Sequence, residues 1–349
     1  MPNSQDYAIV VGISEYAAYD LLKSAIGDAQ AFADWLRKSD GGDVPADQVK
    51  IIVKSSDMRG IYPIKDDVDN ALADIISGRA GRVGRRFYFY FSGHGCSPSA
   101  DELLLLLANA SNEMLLRNIG AAPYRKFLQE AALFDELIFI FDCCRDYQNL
   151  SALAQPPSLT PLPRSPASVN VKLFVALGTE YGQSSFAPND GAERSFFTKF
   201  LIEGLSSARN ADGSVTAQSL QSYVKPRVTA EAQLHGKIQV PEISTNPDIV
   251  FRSGVPGQGL VGRLLSFTIP ATWTRPIELQ DGSFNVVRRV NGTDGKFQTV
   301  LAPGLYEIVY PADAGPAENV LRQRLRVNPA SSGARVTLIP DPDRDQYNV

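Results

Sequence analysis

R-F-Y-F-Y-F-S-G-H-G at 86–95 and L-I-F-I-F-D-C-C-R-D at 137–146 decide the fold. Each is an apolar, aromatic run closed by a short polar fragment. Such runs predict strands buried on both faces of a parallel sheet. In sheets of that kind the chemistry gathers just past the carboxyl ends of the strands. One run delivers His94 there and the other Cys144. A thiol beside a histidine is the minimum equipment for a cysteine nucleophile with a general base.

Reading outward, Tyr7 to Ile13 predicts a first strand and Ser24 to Lys38 a helix, with apolar residues at Ala25, Ala29, Phe32, Ala33 and Leu36. Val49 to Val53 reads as a strand, and Asp66 to Ser77 as a helix with acids in its first turn. Leu103 to Ala108 reads as a strand and Tyr124 to Leu133 as a helix. Strands alternating with helices predict an α/β fold built on a mostly parallel sheet. Residues 154–170 carry five prolines among Ser, Thr and Leu, with Arg164 their one charge, and read as an extended, exposed linker. It divides a large part (1–153) from a small part (171–253). The small part opens on a strand at Val171 to Leu177, followed by helices at Phe196 to Ser206 and Ala217 to Ala230. From Gly254 the text turns to short alternating strands: Phe284 to Val290, Phe297 to Leu301, Tyr306 to Tyr310, Leu321 to Val327 and Ala334 to Ile339. Residues 254–349 therefore predict a small all-β sandwich. No internal repeat is found.

The charge is −4, with both signs spread along the chain, which speaks against nucleic acid and against a charged membrane surface. No apolar run reaches the length of a bilayer span. Met1 to Asp6 is polar, with no basic region before the first apolar run, so no signal peptide is expected. The three cysteines form no C-x-x-C pair, and two histidines are too few for a Cys/His zinc site. No cofactor or metal is expected, and free thiols in a reducing cytoplasm fit this usage.

Two neighbouring strands ending at one sheet edge bring His94 and Cys144 to a shared substrate carbonyl. Gly93 and Gly95 let backbone approach closely there. The N–H groups of Gly95 and Cys144 can then hold a developing oxyanion. Either fragment alone reads equally well as a glycine turn with a structural histidine, or as buried core cysteines. Together they favour chemistry.

F-S-G-H-G followed by D-C-C-R-D resembles the caspase–metacaspase clan of cysteine peptidases. Y-A-I-V-V-G-I at 7–13 resembles its first strand, A-I-G-D-A at 25–29 its Asn/Asp-Ala helix start, and F-A-P-N-D-G-A-E-R-S-F-F-T-K-F-L at 186–201 the small-subunit segment of bacterial members. The likeness covers about residues 6–252. It implies a caspase-like fold, with His94 and Cys144 as the dyad and Gly95 at the oxyanion position. The 50-residue step from His94 to Cys144 matches the caspase spacing. Asp142 aligns with the metacaspase Asp and makes Cys144, not Cys143, the nucleophile, while strand alternation sends the two thiols opposite ways. A disulfide between these adjacent residues is awkward in geometry.

The pattern also departs from the family. Caspases of animals have Gln-Ala before the cysteine, and metacaspases continue Cys-His-Ser-Gly where this chain has Arg145-Asp146. Asp146 reads as a solvated loop acid, Cys96 as a small loop residue, and His235 as a surface or capping residue near a helix end. Asp28, Ser92 and Asp142 match the metacaspase specificity pocket, which implies cleavage after Arg or Lys. Acids of a metacaspase-like calcium site are not evident. L-A-P-G-L-Y-E-I-V at 301–309 resembles hairpins of carboxypeptidase-regulatory-like sandwiches, and docking, autoinhibition and substrate capture all remain open for that domain.

The resemblance thus implies a cysteine endopeptidase acting on protein or peptide substrates, in the manner of bacterial members that serve stress or phage-defence systems. Two other readings stay open. One is a catalytically silent caspase-like scaffold that meets a regulatory partner through its β domain. The other is a redox protein using Cys143 and Cys144.

Overall fold

The computed structural model describes residues 3–78, 81–147, 154–188, 194–210, 212–245, 249–253, 263–281, 286–301, 304–311, 320–327, 335–338 and 347–348. The chain divides into two compact units, 1–209 with 214–253, and 210–213 with 254–349.

The first unit follows the alternating pattern. Its elements are β1 (Asp6–Gly12), α1 (Ala25–Arg37), β2 (Val49–Val53), α2 (Lys65–Ile76), β3 (Gly84–Ser92), β4 (Gly95–Ser99), β5 (Glu102–Leu106), β6 (Asn118–Gly120), α3 (Ala121–Glu130) and β7 (Phe134–Asp142). Then come β8 (Lys172–Leu177), α4 (Phe196–Ser207), β9 (Val215–Thr216), α5 (Ala217–Leu234), β10 (Glu242–Thr245) and β11 (Val250–Arg252). Six strands form one sheet in the order β10-β8-β7-β3-β1-β2, all parallel except the edge strand β10.

The aromatic run of β3 shows why this sheet is covered on both sides. Phe87, Phe89 and Phe91 point to one face and pack with α2 and α3 residues such as Leu72 and Leu128. Tyr88 and Tyr90 point to the other and pack with Phe32 of α1 and Leu201 of α4. Alternation within a fully apolar strand thus feeds two cores. Removing one such phenylalanine side chain costs about 3–5 kcal/mol.

Three expectations need correction. Leu103 to Ala108 forms a strand, but it lies outside the main sheet: β5 pairs antiparallel with β4 and β6 in a separate three-stranded sheet. Cys96 lies in β4 and is buried, so it is not a loop residue. Residues 154–170 are strapped to the body rather than free. Gly120 N donates to Gln155 O at 2.9 Å, Ser165 N to Glu130 O at 2.7 Å, and Ser158 N to the buried Asp69 at 3.0 Å. Prolines make the segment extended, and its backbone donors still find partners.

In the second unit the strands are β12 (Arg263–Thr268), β13 (Pro276–Asp281), β14 (Val286–Asn291), β15 (Lys296–Leu301), β16 (Gly304–Pro311), β17 (Val320–Val327), β18 (Arg335–Thr337) and β19 (Tyr347–Asn348). They form sheets of three and five strands, in the orders β15-β12-β18 and β14-β13-β16-β17-β19. Alternate residues such as Phe267, Phe297, Ile308 and Leu325 make a shared core. The expected strand start at Phe284, the turn residues 302–303, residues 189–193 of the segment 186–201 and the proposed boundary at 254 lie outside the described residues. Among the described residues no helix is long and apolar enough to cross a membrane.

Candidate active site

β3 and β7 are neighbours in register, Ser92 opposite Asp142, so the segments that follow leave the sheet side by side. They stay together: Gly93 N donates to Asp142 O at 3.2 Å and Ser97 N to Asp146 O at 3.1 Å. Between them, no such bond joins Gly95 to Cys144 among the described residues. Leu106 N bonds His94 O at 3.0 Å, which makes Gly95 and Leu105 a non-bonded pair of the β4–β5 ladder. The Gly95 N–H therefore turns away from β5, toward the Cys144 side. A Cβ on Gly95 would come within 2.6 Å of Cys143 Sγ and 2.9 Å of Cys144 O, so only glycine fits this approach.

His94 is held on three sides. Its backbone N–H donates to Tyr16 Oη at 2.7 Å, and that phenol donates to Leu106 O at 3.3 Å. The Tyr16 and Tyr19 rings stand 4.7 Å and 5.5 Å from the imidazole, centroid to centroid. Its Nε2 lies 2.8 Å from Asp20 O. A carbonyl oxygen only accepts, so this contact places the proton on Nε2 and leaves Nδ1 as an acceptor.

The two thiols differ in burial, although both line the same cavity beyond the end of β7. Cys143 is buried in the α2/α3-side core, and burial pushes its thiol well above the ordinary range. Cys144 is half-buried and lines a cavity of about 70 Å³ together with Ser92, His94, Asp142, Ser185 and Ser195. Burial also raises the Cys144 thiol, while the Ser185 N–H, 3.4 Å from Sγ, works against that shift. A thiol raised in this way favours its neutral form.

The structure brings Asp28, Ser92 and Asp142 together. Both carboxylates are buried, and Ser92 Oγ is 3.4 Å from Asp28 Oδ2. Asp28 also accepts from Ser195 N at 3.0 Å. Asp142 accepts from Ser185 Oγ at 2.7 Å, from Thr198 Oγ1 at 2.6 Å and from Ser195 Oγ. Burial, and then the Asp142 charge, lift Asp28 to about 8. Burial lifts Asp142 as well, and its hydroxyl partners hold it back in part.

Ser185, Ser195, Thr198, Tyr16 and Asp20 carry no signal of these roles in the sequence, except that Ser195 is a serine placed to cap α4. The loop after Cys144 also reads differently in three dimensions. Asp146 is not a solvated loop acid: it accepts from Ser184 Oγ at 3.0 Å and 3.2 Å. Arg145 is buried, pairs with Glu242 and donates to Ala100 O at 2.7 Å. Its backbone bonds Gln183 O and Gly182 N, each at 2.9 Å. His235 stands at the C-cap of α5, 5.0 Å from the Phe196 ring.

The chain is similar to several known proteins. A curated relative, a probable protease of a Desulfuromonadales bacterium, is 28% identical over 219 residues, which cover 59% of this chain. The matched stretch spans about a quarter of that relative, 26% of its length. A Geobacter sulfurreducens protein solved by structural genomics aligns over 70% of this chain and 95% of its own, at 15% identity and a TM-score of 0.46. Pro-Sf-caspase-1 aligns over 70% and 92%, at 12% identity and a TM-score of 0.41. The family model for the caspase domain, Peptidase C14, matches residues 5–249, and the chain belongs to that family.

Proposed function

We propose that this protein is a cysteine endopeptidase that cleaves protein substrates after Arg or Lys, with Cys144 as nucleophile and His94 as general base. The observation that carries the reading is the environment of His94. Its Nε2 is committed to the Asp20 carbonyl, and the acceptor Nδ1 remains for a proton in the cavity it shares with Cys144.

In this mechanism His94 takes the Cys144 proton as the sulfur attacks the peptide carbonyl carbon. The carbonyl electrons move to the oxygen, which the Gly95 and Cys144 N–H groups hold. His94 then gives the proton to the leaving amine as the C–N bond breaks. Water, deprotonated by His94, attacks the thioester and releases the acid and the thiol. The Asp20 carbonyl stabilises the transient imidazolium.

Specificity in this reading comes from Asp28 and Asp142. Two buried acids with no cation between them favour a substrate guanidinium or ammonium. For one close pair at an effective dielectric near 20 the Coulomb term is about 4 kcal/mol before desolvation. Even a fraction of that gives more than tenfold discrimination against a substrate Asp, which adds a further negative charge to the pair. The reading gives residues 254–349 a regulatory contact with a partner or substrate protein, and the three free thiols a reducing, cytoplasmic setting in a bacterial stress or defence pathway.

The test is a set of three variants. Cys144→Ala and His94→Ala abolish peptidase activity with the fold intact, whereas Cys143→Ala keeps most of it. Full activity in Cys144→Ala sinks the assignment.

A further inference from the structure

Ser185 makes two kinds of contact at once. Its backbone rests on the nucleophile: Ser185 N donates to Cys144 Sγ at 3.4 Å, and Sγ faces Ser185 O at 3.9 Å. Its hydroxyl rests on the specificity carboxylate, donating to Asp142 Oδ1 at 2.7 Å. These contacts border the cavity of about 70 Å³ that also touches His94. In this arrangement Ser185 supplies Asp142 with a hydroxyl donor.

We propose that Ser185 couples recognition of a basic side chain to exposure of the nucleophile. The inference rests on the Arg/Lys reading above and adds a residue and an order of events to it. An entering guanidinium donates to Asp142 Oδ1 and displaces the Ser185 hydroxyl. With that anchor lost, the Ser185 backbone swings off Cys144 Sγ and the thiol opens to the scissile carbonyl. The displaced segment keeps a second hold. Gln239 Nε2 donates to Ser185 Oγ at 3.1 Å and to Gly178 O at 2.8 Å, and Gln239 Oε1 accepts from Phe186 N at 3.0 Å. The segment is therefore rehung on Gln239 rather than released. A neutral side chain brings Asp142 no charge with which to outcompete the Ser185 hydroxyl, so it leaves that hydroxyl in place and the thiol covered. Selectivity then has two sources: tighter binding of a cation, and a nucleophile that a cation alone uncovers.

The experiment is the alkylation rate of Cys144 by iodoacetamide, read by fragment mass spectrometry that separates Cys144 from Cys143. Agmatine supplies the guanidinium and butylurea the neutral control, and the competence of each to bind is read as competitive inhibition of peptide cleavage. In the wild-type protein agmatine speeds alkylation at least fivefold and butylurea leaves it unchanged. In Ser185→Ala the rate without any probe is already at least fivefold higher, and agmatine adds less than twofold. The wild-type arm needs no variant, so a misfolded Ser185→Ala does not decide the matter. Agmatine that inhibits cleavage but slows or leaves unchanged the alkylation overturns the coupling and leaves the basic pocket standing. Agmatine that does not inhibit cleavage removes the basic-pocket reading, and the coupling with it.

Discussion

The two ends of the central sheet both bury charge, and they do so in opposite ways. At the amino end Asp6 pairs with Arg85, and Arg86 donates to Glu136 at 2.6 Å and to Val250 O at 2.7 Å. Burial pushes Asp6 up, but Arg85 and Arg86 pull it back. At the carboxyl end Asp28 and Asp142 sit as like charges, and among the described residues no lysine or arginine bonds to either. There the neighbouring charge adds to the effect of burial, and Asp28 rises to about 8. A closed charge set holds a fold together. An open set of one sign, beside a thiol and a histidine, is the feature on which the proposed specificity pocket rests.

The largest expected effect breaks the closed end. Arg86→Met leaves the part-buried Glu136 with its more distant neighbours Arg85 and Lys172, 4.0 Å and 3.8 Å away. It should cost about 3–5 kcal/mol by urea denaturation, while kcat per folded molecule stays near wild type. The carboxyl end should show the reverse. Asp142→Asn should lower kcat/KM for an Arg peptide more than tenfold, with a stability loss of about 1–3 kcal/mol from its disturbed hydroxyl partners. Equal losses of stability at both ends would remove the distinction.

A subtler prediction concerns pH. An acid whose pKa is raised on folding keeps its proton in the native state after the unfolded chain has lost it. Its contribution is full below the ordinary carboxylate range and is lost as pH rises to about 8. Stability should therefore fall between about pH 4 and 8, and Asp28→Asn should flatten that slope. The KM for Arg peptides should fall over the upper part of the same window, as the pair gains its second charge. Thermal melts and KM values in a pH series check both signs.

The ends also bear on processing. Arg164 lies beside Phe134, Asp135 and Val171, at the amino ends of β7 and β8. Cys144 lies beyond the other end of the nine-residue β7, roughly 30 Å away at about 3.3 Å per residue. In this arrangement Arg164 does not reach Cys144 of its own chain, which bears on an expected cut after Arg164 in the proline-rich linker. Any cutting there should be second order in protein and should also occur on Cys144→Ala chains mixed with active enzyme, as gel time courses at several concentrations would reveal.

How far the sequence reveals these features depends on distance along the chain. β3 and β7 are plain because their apolar runs are long, and His94 and Cys144 follow from where those runs stop. Ser185, Ser195 and Thr198 meet Asp142 from 43, 53 and 56 residues away, and no local pattern marks a serine for such a contact. The strap at 154–170 misleads for a related reason. Its prolines report an extended chain, whereas its anchors on Asn118, Asp69 and Glu130 are tertiary. The β4–β5 hairpin is hidden because Gly95 and Pro98 read as a loop, though a bulged ladder accommodates them.

The open charge set is the centre of this account, and a positional peptide library against the purified protein tests it most directly. Cleavage should follow Arg best and Lys second, because the guanidinium fork can meet both carboxylates where an ammonium meets them as a point charge. Preferential cleavage after Asp would contradict the account, since that side chain would place a further negative charge against Asp28 and Asp142.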